Sequence, residues 1–329
     1  MELQDIAPNI CSGRDKPSHN GKVILYGSTG VIGMTESASY LDELILVARV
    51  GANAGQLQVA NSPCGVTDNA LVINAHEWNA YIYYYLQYYN LNRLVFGSGQ
   101  PLITGGMLKK IKIKSGKNVE RLKITHLLSL LDQRIETQKK VIEDLKRLKY
   151  AISKRVFAEM GQHHPVVKLG QLCSIKTGKL DANAMIDNGE FPFFTCARED
   201  YRTDTYAFEG DSLLISGNGD IGIVKRYNGK FNAYQRTYVL QDFIQEIAYV
   251  QCFVEHHLPK RVLKEKNVGA MPYIVFSTLS EMPIILPPTY IQNAICKTIG
   301  TISEQINVEE KILANFELQK QYNLSMMFI

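Results

Sequence analysis

The stretch that decides the fold covers residues 130–157 and reads LLDQRIETQKKVIEDLKRLKYAISKRVF. It lies in a longer segment, residues 119–157, that contains neither proline nor glycine. Apolar residues recur at spacings that are mostly 3, 4 and 7, so they fall in one seam of an α-helix. The seam consists of Leu127, Leu131, Ile135, Ile142, Leu145, Leu148, Ile152 and Val156. At ~1.5 Å per residue the helix would be roughly 58 Å long, which favours packing against a second long helix.

A second seam near the C-terminal end supplies that partner. It follows Pro287 and Pro288, residues that suit the first turn of a helix. Its apolar positions are Ile291, Ile295, Ile299, Ile302, Ile306, Ile312, Leu313 and Phe316. The two matched seams predict an intramolecular coiled coil. The helices differ in charge, because the first has ten Lys or Arg against five Asp or Glu, whereas residues 289–329 have three Lys against four Glu.

An ordered series of similar segments indicates an internal repeat. Residues 3–6 (LQDI) match 169–172 (LGQL), and 67–72 match 234–239. In the closing helices, the positions Leu131, Ile135 and Phe157 correspond to Ile302, Ile306 and Phe328. The offset between matched residues drifts only from 165 to 171. We therefore predict that residues 3–157 and 169–328 are two copies of one unit, and a duplication without functional meaning is the alternative.

Composition limits the class of protein but does not give a function. The 329 residues, 46% hydrophobic and 21% charged, predict two globular domains rather than a disordered or collagen-like chain. No apolar run reaches the length of a membrane span, and the N-terminus lacks the pattern of a signal peptide. Six cysteines without a CxxC pair are typical of reduced thiols, so we expect a cytoplasmic location. A net charge of +4 is too weak to indicate nucleic-acid binding by itself.

Several motifs that could carry chemistry are disfavoured. Gly27, Gly30 and Gly33 have the spacing G-x-x-G-x-x-G, which is not a dinucleotide fingerprint, and their match in the second copy lacks glycine. The cysteines lack metal-ligand spacing, and no nucleophile, paired-carboxylate or zinc-protease pattern recurs in both copies. The tyrosine-rich segment 76–91 favours a packed amphipathic helix over a base-stacking platform. The sequence thus predicts a binding protein with no catalytic residues and no metal site.

Polar and basic residues in the predicted loops are the candidates for binding. Any one of them could be an ordinary solvated side chain, but together they suit phosphate contacts and the reading of base edges. The candidates are Arg14, Lys16, Lys22, Ser28, Thr29, Arg49, Asn53, Asn69, Lys176, Lys179, Arg198, Arg202, Asn218, Lys225, Arg226 and Arg236.

These same segments carry a family resemblance. Residues 23–33 (VILYGSTGVIG), 45–55 with Arg49, and 66–69 (VTDN) resemble a target recognition domain of type I restriction–modification specificity subunits. Residues 213–222 (LLISGNGDIG) are similar to the alternative form of one of those segments. Residues 130–136 (LLDQRIE) resemble the helical spacer of that family. The resemblance covers essentially the whole chain, twice.

The resemblance implies an α+β fold with two globular β-rich target recognition domains, each followed by a long helix. The two helices would pair as an antiparallel coiled coil. The implied boundaries are 1–118 for the first recognition domain, 119–160 for the central helix, 161–288 for the second recognition domain and 289–329 for the C-terminal helix. Since the final helix is shorter than in many members of the family, whether the ring of domains closes is left open.

The resemblance also implies a function. Each domain would read one half of a bipartite, asymmetric target in double-stranded DNA, with the helices setting the spacing and docking two methyltransferase subunits. Those subunits would use S-adenosylmethionine, a restriction subunit using ATP and Mg would join them in some complexes, and this chain would bind no cofactor itself. Two alternatives remain: a protein-interaction scaffold without DNA affinity, and a self-contained DNA-processing enzyme, for which no catalytic motif is found.

Overall fold

The computed structural model describes residues 1–96, 101–114, 116–197, 199, 201–265 and 273–328. The chain divides into two compact units. Unit 1 comprises Met1–Lys140 with Lys311–Ile329, and unit 2 comprises Val141–Glu310. Each unit contains its own sheet structure, its own short helices and one part of each of the two long helices.

Two helices are much longer than the rest, as the apolar seams predict. The helices are α1 (Leu3–Ile6), α2 (Asn79–Tyr89), α3 (Gly105–Lys109), α4 (Asn118–Met160), α5 (Ile247–Glu265), α6 (Phe276–Ser280) and α7 (Thr289–Met327). Within the described part of the chain, no helix is long and apolar enough to cross a membrane.

The strands of unit 1 form two small sheets. They are β1 (Cys11–Ser12), β2 (Val23–Tyr26), β3 (Val31–Thr35), β4 (Leu44–Ala48), β5 (Leu57–Ala60), β6 (Cys64–Val66) and β7 (Ala70–Ile73). One sheet has the order β1-β7-β4-β5 and the other has the order β3-β2-β6. All neighbours are antiparallel except β2 and β6.

In unit 2 one larger sheet replaces the two small ones. The strands are β8 (Val166–Lys168), β9 (Ser174–Thr177), β10 (Phe191–Phe194), β11 (Tyr201–Thr203), β12 (Phe208–Ser216), β13 (Val224–Ala233), β14 (Thr237–Gln241) and β15 (Pro283–Ile285). The six-stranded sheet has the order β11-β10-β13-β12-β14-β9, and β15 pairs separately with β8.

The two units share one topology, which confirms the predicted repeat. The parallel pair β10–β13 corresponds to β2–β6, and the antiparallel series β9-β14-β12-β13 corresponds to β1-β7-β4-β5. Strand β13 therefore occupies the positions of both β5 and β6, because it pairs with β12 on one side and with β10 on the other. In unit 1 this strand is interrupted at residues 61–63, where Pro63 has no N–H to donate to a sheet ladder.

Two glycines mark the same close approach in both units. A Cβ on Gly13 would overlap the carbonyl oxygen of Val66 at the end of β6. A Cβ on Gly178 would likewise overlap the carbonyl oxygen of Ala233 at the end of β13. Because only glycine leaves room for this contact, both copies need it directly after the equivalent strands β1 and β9.

The helices α4 and α7 pair in antiparallel fashion within each unit. In unit 1 Lys139 Nζ lies 3.8 Å from Glu317 Oε1, and in unit 2 Lys146 Nζ lies 2.6 Å from Glu310 Oε1. Within unit 1, Lys320 also lies 2.6 Å from Asp132, so the position on α7 falls from 320 to 317 as the position on α4 rises from 132 to 139. This confirms the predicted antiparallel coiled coil.

Most of the predicted seam residues are buried or partly buried, and two, Leu127 and Leu148, are exposed. Leu131, Ile135, Ile142 and Ile306 are buried, and Leu145, Ile302, Leu313 and Phe316 are partly buried. Leu148 is 48% exposed. After Ile142, the next fully buried position on α4 is Ser153, eleven residues on. Eleven residues make about three turns of an α-helix. The buried positions therefore follow the period of the helix itself, and Leu148 lies outside the stripe that they form.

An aromatic side chain from a long helix completes each core. In unit 1 the Phe328 ring packs edge-on against Tyr81 and Tyr85 of α2, at 5.3 and 5.4 Å between ring centroids. The Tyr81 hydroxyl donates to the Lys114 carbonyl at 2.7 Å, and the Tyr85 hydroxyl donates to the Lys112 carbonyl at 2.8 Å. The tyrosine-rich segment is thus a packed helix, as predicted.

Candidate nucleic-acid interface

In unit 1 four loops meet at one end of the sheets. They cover residues 13–16, 27–30, 49–55 and 67–69, and main-chain hydrogen bonds tie them together. Gly13 N–H donates to Ala70 O at 3.1 Å, Thr67 N–H to Tyr26 O at 3.0 Å, and Arg49 N–H to Asn69 O at 2.9 Å. This loop cluster carries seven of the predicted residues, namely Arg14, Lys16, Ser28, Thr29, Arg49, Asn53 and Asn69.

Unit 2 builds the same cluster from residues 178–181, 195–197 with 199, 217–221 and 234–236. Tyr234 N–H donates to Phe194 O, Gln235 N–H to Leu180 O and Gly217 N–H to Arg236 O, each at 2.9 Å. The predicted residues found here are Lys179, Asn218 and Arg236. Arg198 lies outside the described residues.

At one crossing the main chain is the same in both units while the side chains differ. Arg49 donates its N–H to Asn69 O and accepts from Ile103 N–H at 3.0 Å. In unit 2, Gly217 donates to Arg236 O and accepts from Ile274 N–H at 2.8 Å. The guanidinium therefore stands on the first of the two segments in unit 1 and on the second in unit 2. A Cβ on Gly217 would lie 2.5 Å from Arg236 O, so the first segment cannot carry a side chain in unit 2.

The remaining predicted residues are not in the loop clusters. Lys22 precedes β2 at the opposite end of its sheet, and Lys176 lies within β9 opposite Val239. Arg202 on β11 donates to the carbonyl oxygens of Gly189 and Glu190 at 2.5 and 2.6 Å. These two bonds stabilise the turn that precedes β10, so the Arg202 guanidinium has a structural role.

Lys225 and Arg226 both lie on β13. The Arg226 guanidinium donates two hydrogen bonds to the Asp211 carboxylate, at 2.9 and 2.5 Å. This pairing lowers the pKa of the Asp211 carboxyl. Lys225 lines a cavity together with residues of α4, α5 and α7.

Two aromatic residues at the unit 2 cluster are not among the residues predicted from the sequence. Tyr234 occupies the same turn as Arg236, and Tyr273 is 56% exposed beside Ile274, which bonds to Gly217. The signal for Tyr234 was present, because the repeat aligns it with Thr67 of the unit 1 cluster. Aromatic faces at such an edge offer stacking surfaces to bases.

The clusters are suited to binding a ligand that carries hydrogen-bond acceptors. Their side chains are mostly hydrogen-bond donors, and Arg49 uses one N–H on the Asp68 carbonyl at 3.4 Å. Among the described residues, no group of three or more His, Cys, Asp or Glu could hold a metal ion. Strong pKa shifts occur away from the loops: burial raises the pKa of Cys173 to about 12 and lowers that of His256 to about 4.

Comparison with known proteins gives this architecture a family. The sequence profile described as "Type I restriction modification DNA specificity domain" matches residues 9–147 and again residues 164–318. The chain belongs to this family and contains its domain twice. The match confirms the resemblance seen in the sequence.

Curated relatives carry the same description. The specificity subunit of the type I restriction enzyme EcoDI from Escherichia coli is 35% identical over 140 residues, which cover 43% of this chain and 31% of that protein. The specificity subunit of the enzyme MpnII from Mycoplasma pneumoniae is 29% identical over 159 residues, covering 46% of this chain and 47% of that one. The matched segment thus spans less than half the length of either relative.

Solved structures share the fold over the whole chain. The S subunit of a type I restriction-modification system from M. genitalium has a TM-score of 0.70 at 16% identity, covering 100% of this chain and 95% of that one. A structure from work on assembly and conformational transition of the type I R-M system has a TM-score of 0.52 at 13% identity, covering 100% and 96%. These likenesses confirm the predicted fold class.

Proposed function

We propose that this chain is a non-catalytic DNA specificity subunit, in which each unit reads one half of a bipartite, asymmetric target in double-stranded DNA. The observation that carries the proposal is the pair of loop clusters. Their main chains are tied by the same hydrogen bonds, but Arg49 and Asn69 in one cluster stand where Gly217 and Arg236 stand in the other. One frame with two sets of side chains suits two different half-sites.

The residue types in the clusters match the groups that duplex DNA exposes. Arginine can donate two hydrogen bonds to guanine, and an asparagine side chain can pair with adenine in the same way. Lys16 and Lys179, on the outer loops, suit phosphate oxygens, which position a protein without reading sequence. The helices α4 and α7 would then fix the distance between half-sites, which lie roughly 34–36 Å apart per turn of B-DNA.

Exposed apolar side chains on the long helices suit partner subunits. They are Leu127 and Leu148 of the predicted seam, together with Leu130, Val141, Val308, Leu318, Tyr322 and Met326 outside it. Exposed apolar stripes on a helix are typical of a surface that a partner covers. We propose that two methyltransferase subunits dock here and bring S-adenosylmethionine, that a restriction subunit brings ATP and Mg where it joins, and that this chain binds no cofactor.

The test is to co-express the chain with a cognate methyltransferase subunit and to sequence the methylated adenines in the host DNA. The expected result is one bipartite motif, two defined half-sites separated by a gap of fixed length. Failure to obtain such a motif with any methyltransferase subunit encoded in the same genome would contradict the proposal.

DNA affinity gives a second readout, which distinguishes a DNA specificity subunit from a protein-interaction scaffold. A reading subunit that contacts phosphates binds duplex DNA with an affinity that falls steeply as salt rises. The assay is a titration of the complex with duplex DNA at several salt concentrations. A scaffold with no DNA function would show no such affinity.

A further inference from the structure

Two ion pairs between the long helices occupy equivalent positions of the repeat. Lys139 pairs with Glu317 in unit 1, and Lys146 pairs with Glu310 in unit 2. Positions 139 and 310 correspond to each other, as do 146 and 317, with the same 171-residue offset that relates Phe157 to Phe328. At both positions α4 supplies the lysine and α7 supplies the glutamate.

At the centre of the seam, the apolar residues give no reason for α4 to prefer α7 over another α4. Ile135 and Ile142 of α4 correspond to Ile306 and Leu313 of α7, and all four are buried or partly buried. At these central positions a second copy of α4, laid antiparallel in the same register, would also offer apolar side chains. Burial of apolar area is not directional, so it does not separate the two pairings.

The charges do separate them. If two α4 helices from different chains paired in this register, Lys139 of each would face Lys146 of the other. If two α7 helices did so, Glu317 of each would face Glu310 of the other. Each pairing of like helices replaces two attractions by two repulsions, and a like-charge contact disfavours a wrong partner.

A third position carries the same charge on both helices and so does not tell them apart. Lys149 of α4 and Lys320 of α7 are equivalent in the repeat. Lys149 pairs with Glu255 of α5 at 2.9 Å, and Lys320 pairs with Asp132 of α4 at 2.6 Å. Only the positions that hold Lys139, Lys146, Glu310 and Glu317 carry opposite charges.

We propose that these four residues form a charge code that directs α4 to pair with α7 and excludes a second copy of the same helix. The surface of α4 fits a helix with two glutamates at this spacing, and the surface of α7 fits one with two lysines. The inference does not depend on DNA binding, because it concerns which helices meet.

Charge reversal in the full chain tests the code. K139E/K146E makes both helices acidic at these positions, E310K/E317K makes both basic, and the fourfold variant exchanges the charges. Each side chain is about half exposed, so one pair contributes little. At low salt we expect each double variant to unfold roughly 2–6 °C below wild type. We expect the fourfold variant to regain the wild-type midpoint.

The matched control is K140E/K154E, which changes the net charge of α4 equally at exposed positions outside the two pairs. We expect it to unfold close to wild type. The proposal fails if the double variants unfold at the same temperature as this control. It also fails if the fourfold variant unfolds at a temperature as low as that of the double variants.

A mixing experiment tests partner choice directly. The two double variants, with different affinity tags, are unfolded together and refolded. The acidic α4 of one chain can then pair with the basic α7 of the other, and the acidic α7 with the basic α4. We expect sequential affinity capture to recover mixed particles several-fold enriched over a mixture of tagged wild-type chains. Equal recovery from the two mixtures would overturn the proposal.

Discussion

Phe157 and Phe328 hold equivalent places in the two units. Each is 2% exposed, and each brings a ring from the end of a long helix onto the short helix behind a sheet. Phe157 packs on Tyr249 and Phe253 at 6.3 and 4.9 Å, as Phe328 packs on Tyr81 and Tyr85. The helix that follows the second copy in sequence thus completes the core of the first.

Truncating either ring should destabilise one unit. We expect Phe328→Ala to lower the free energy of unfolding of unit 1 by about 3–5 kcal/mol, because the cavity removes packing on α2. Phe157→Ala should do the same to unit 2. Amide hydrogen exchange measures the stability of the two units separately, in α2 for unit 1 and in α5 for unit 2. Leu318→Ala, which is 65% exposed on α7, is the control. Equal loss of protection in α2 and α5 would contradict the assignment.

The glycines at the strand ends should not tolerate alanine. Gly13→Ala and Gly178→Ala place a methyl group on a carbonyl oxygen, and we expect each to lower the free energy of unfolding by about 1–3 kcal/mol. Gly300→Ala is the matched control, because its Cβ would meet no heavy atom within 4 Å inside α7. We expect Gly300→Ala to raise the free energy of unfolding by about 0.5–1 kcal/mol. Urea denaturation compares the three variants.

The two arginines should control separate half-sites. If the proposed function holds, Arg49→Ala relaxes recognition in one half of the target and Arg236→Ala in the other, by roughly 10–100-fold at the base concerned. Sequencing of methylated DNA measures both halves in one experiment. Lys22→Ala, at the opposite end of the sheet from the loop cluster, should leave both halves unchanged. Loss at both halves from one substitution would count against separate reading.

Unit 2 should lose stability in mild acid through His256. Burial, together with His257 and Lys260, lowers its pKa from 6.5 to about 4. The unfolded chain therefore takes up a proton at a higher pH than the folded chain does, so stability is retained above pH 6.5 and lost as the pH falls towards 4. His256→Gln should flatten the dependence of the unfolding midpoint on pH. An unchanged slope in this variant would refute the prediction.

The outer faces of the long helices should be needed for partner binding but not for folding. Leu130→Glu and Leu148→Glu change side chains that are 43% and 48% exposed. We expect a normal unfolding midpoint and a loss of co-purification with the methyltransferase subunit. Leu41→Glu, at a residue 76% exposed outside the long helices, is the control. Full retention of the methyltransferase by both helix variants would argue against docking at this surface.

The long helices and the repeat could be predicted because their signals are periodic. A segment without proline or glycine and with apolar residues every 3 or 4 positions can bury a stripe only as a helix. Leu148 shows where this reasoning fails. Its spacing from Leu145 and Ile152 is correct, but the buried stripe on α4 turns from Ile142 to Ser153 and leaves Leu148 exposed.

The candidate site was only partly predictable, because strand pairing decides which polar residues meet. Arg49 and Asn69 are brought together by a main-chain hydrogen bond that no spacing in the sequence indicates. Arg202 and Arg226 are basic residues of the same kind, yet one binds carbonyl oxygens of its own turn and the other binds Asp211. Residue type alone does not distinguish an arginine that supports the fold from one left free to bind.

The crossing where Arg49 corresponds to Gly217 has an evolutionary consequence. The bonds that join Arg49 to Asn69 and Ile103, and Gly217 to Arg236 and Ile274, are between main-chain atoms, and the close approaches at Gly13 and Gly178 are likewise to main-chain carbonyls. What holds the loops in place is therefore independent of most of the side chains they display. Such a scaffold can exchange its displayed residues, and so acquire a new target, with little loss of foldability.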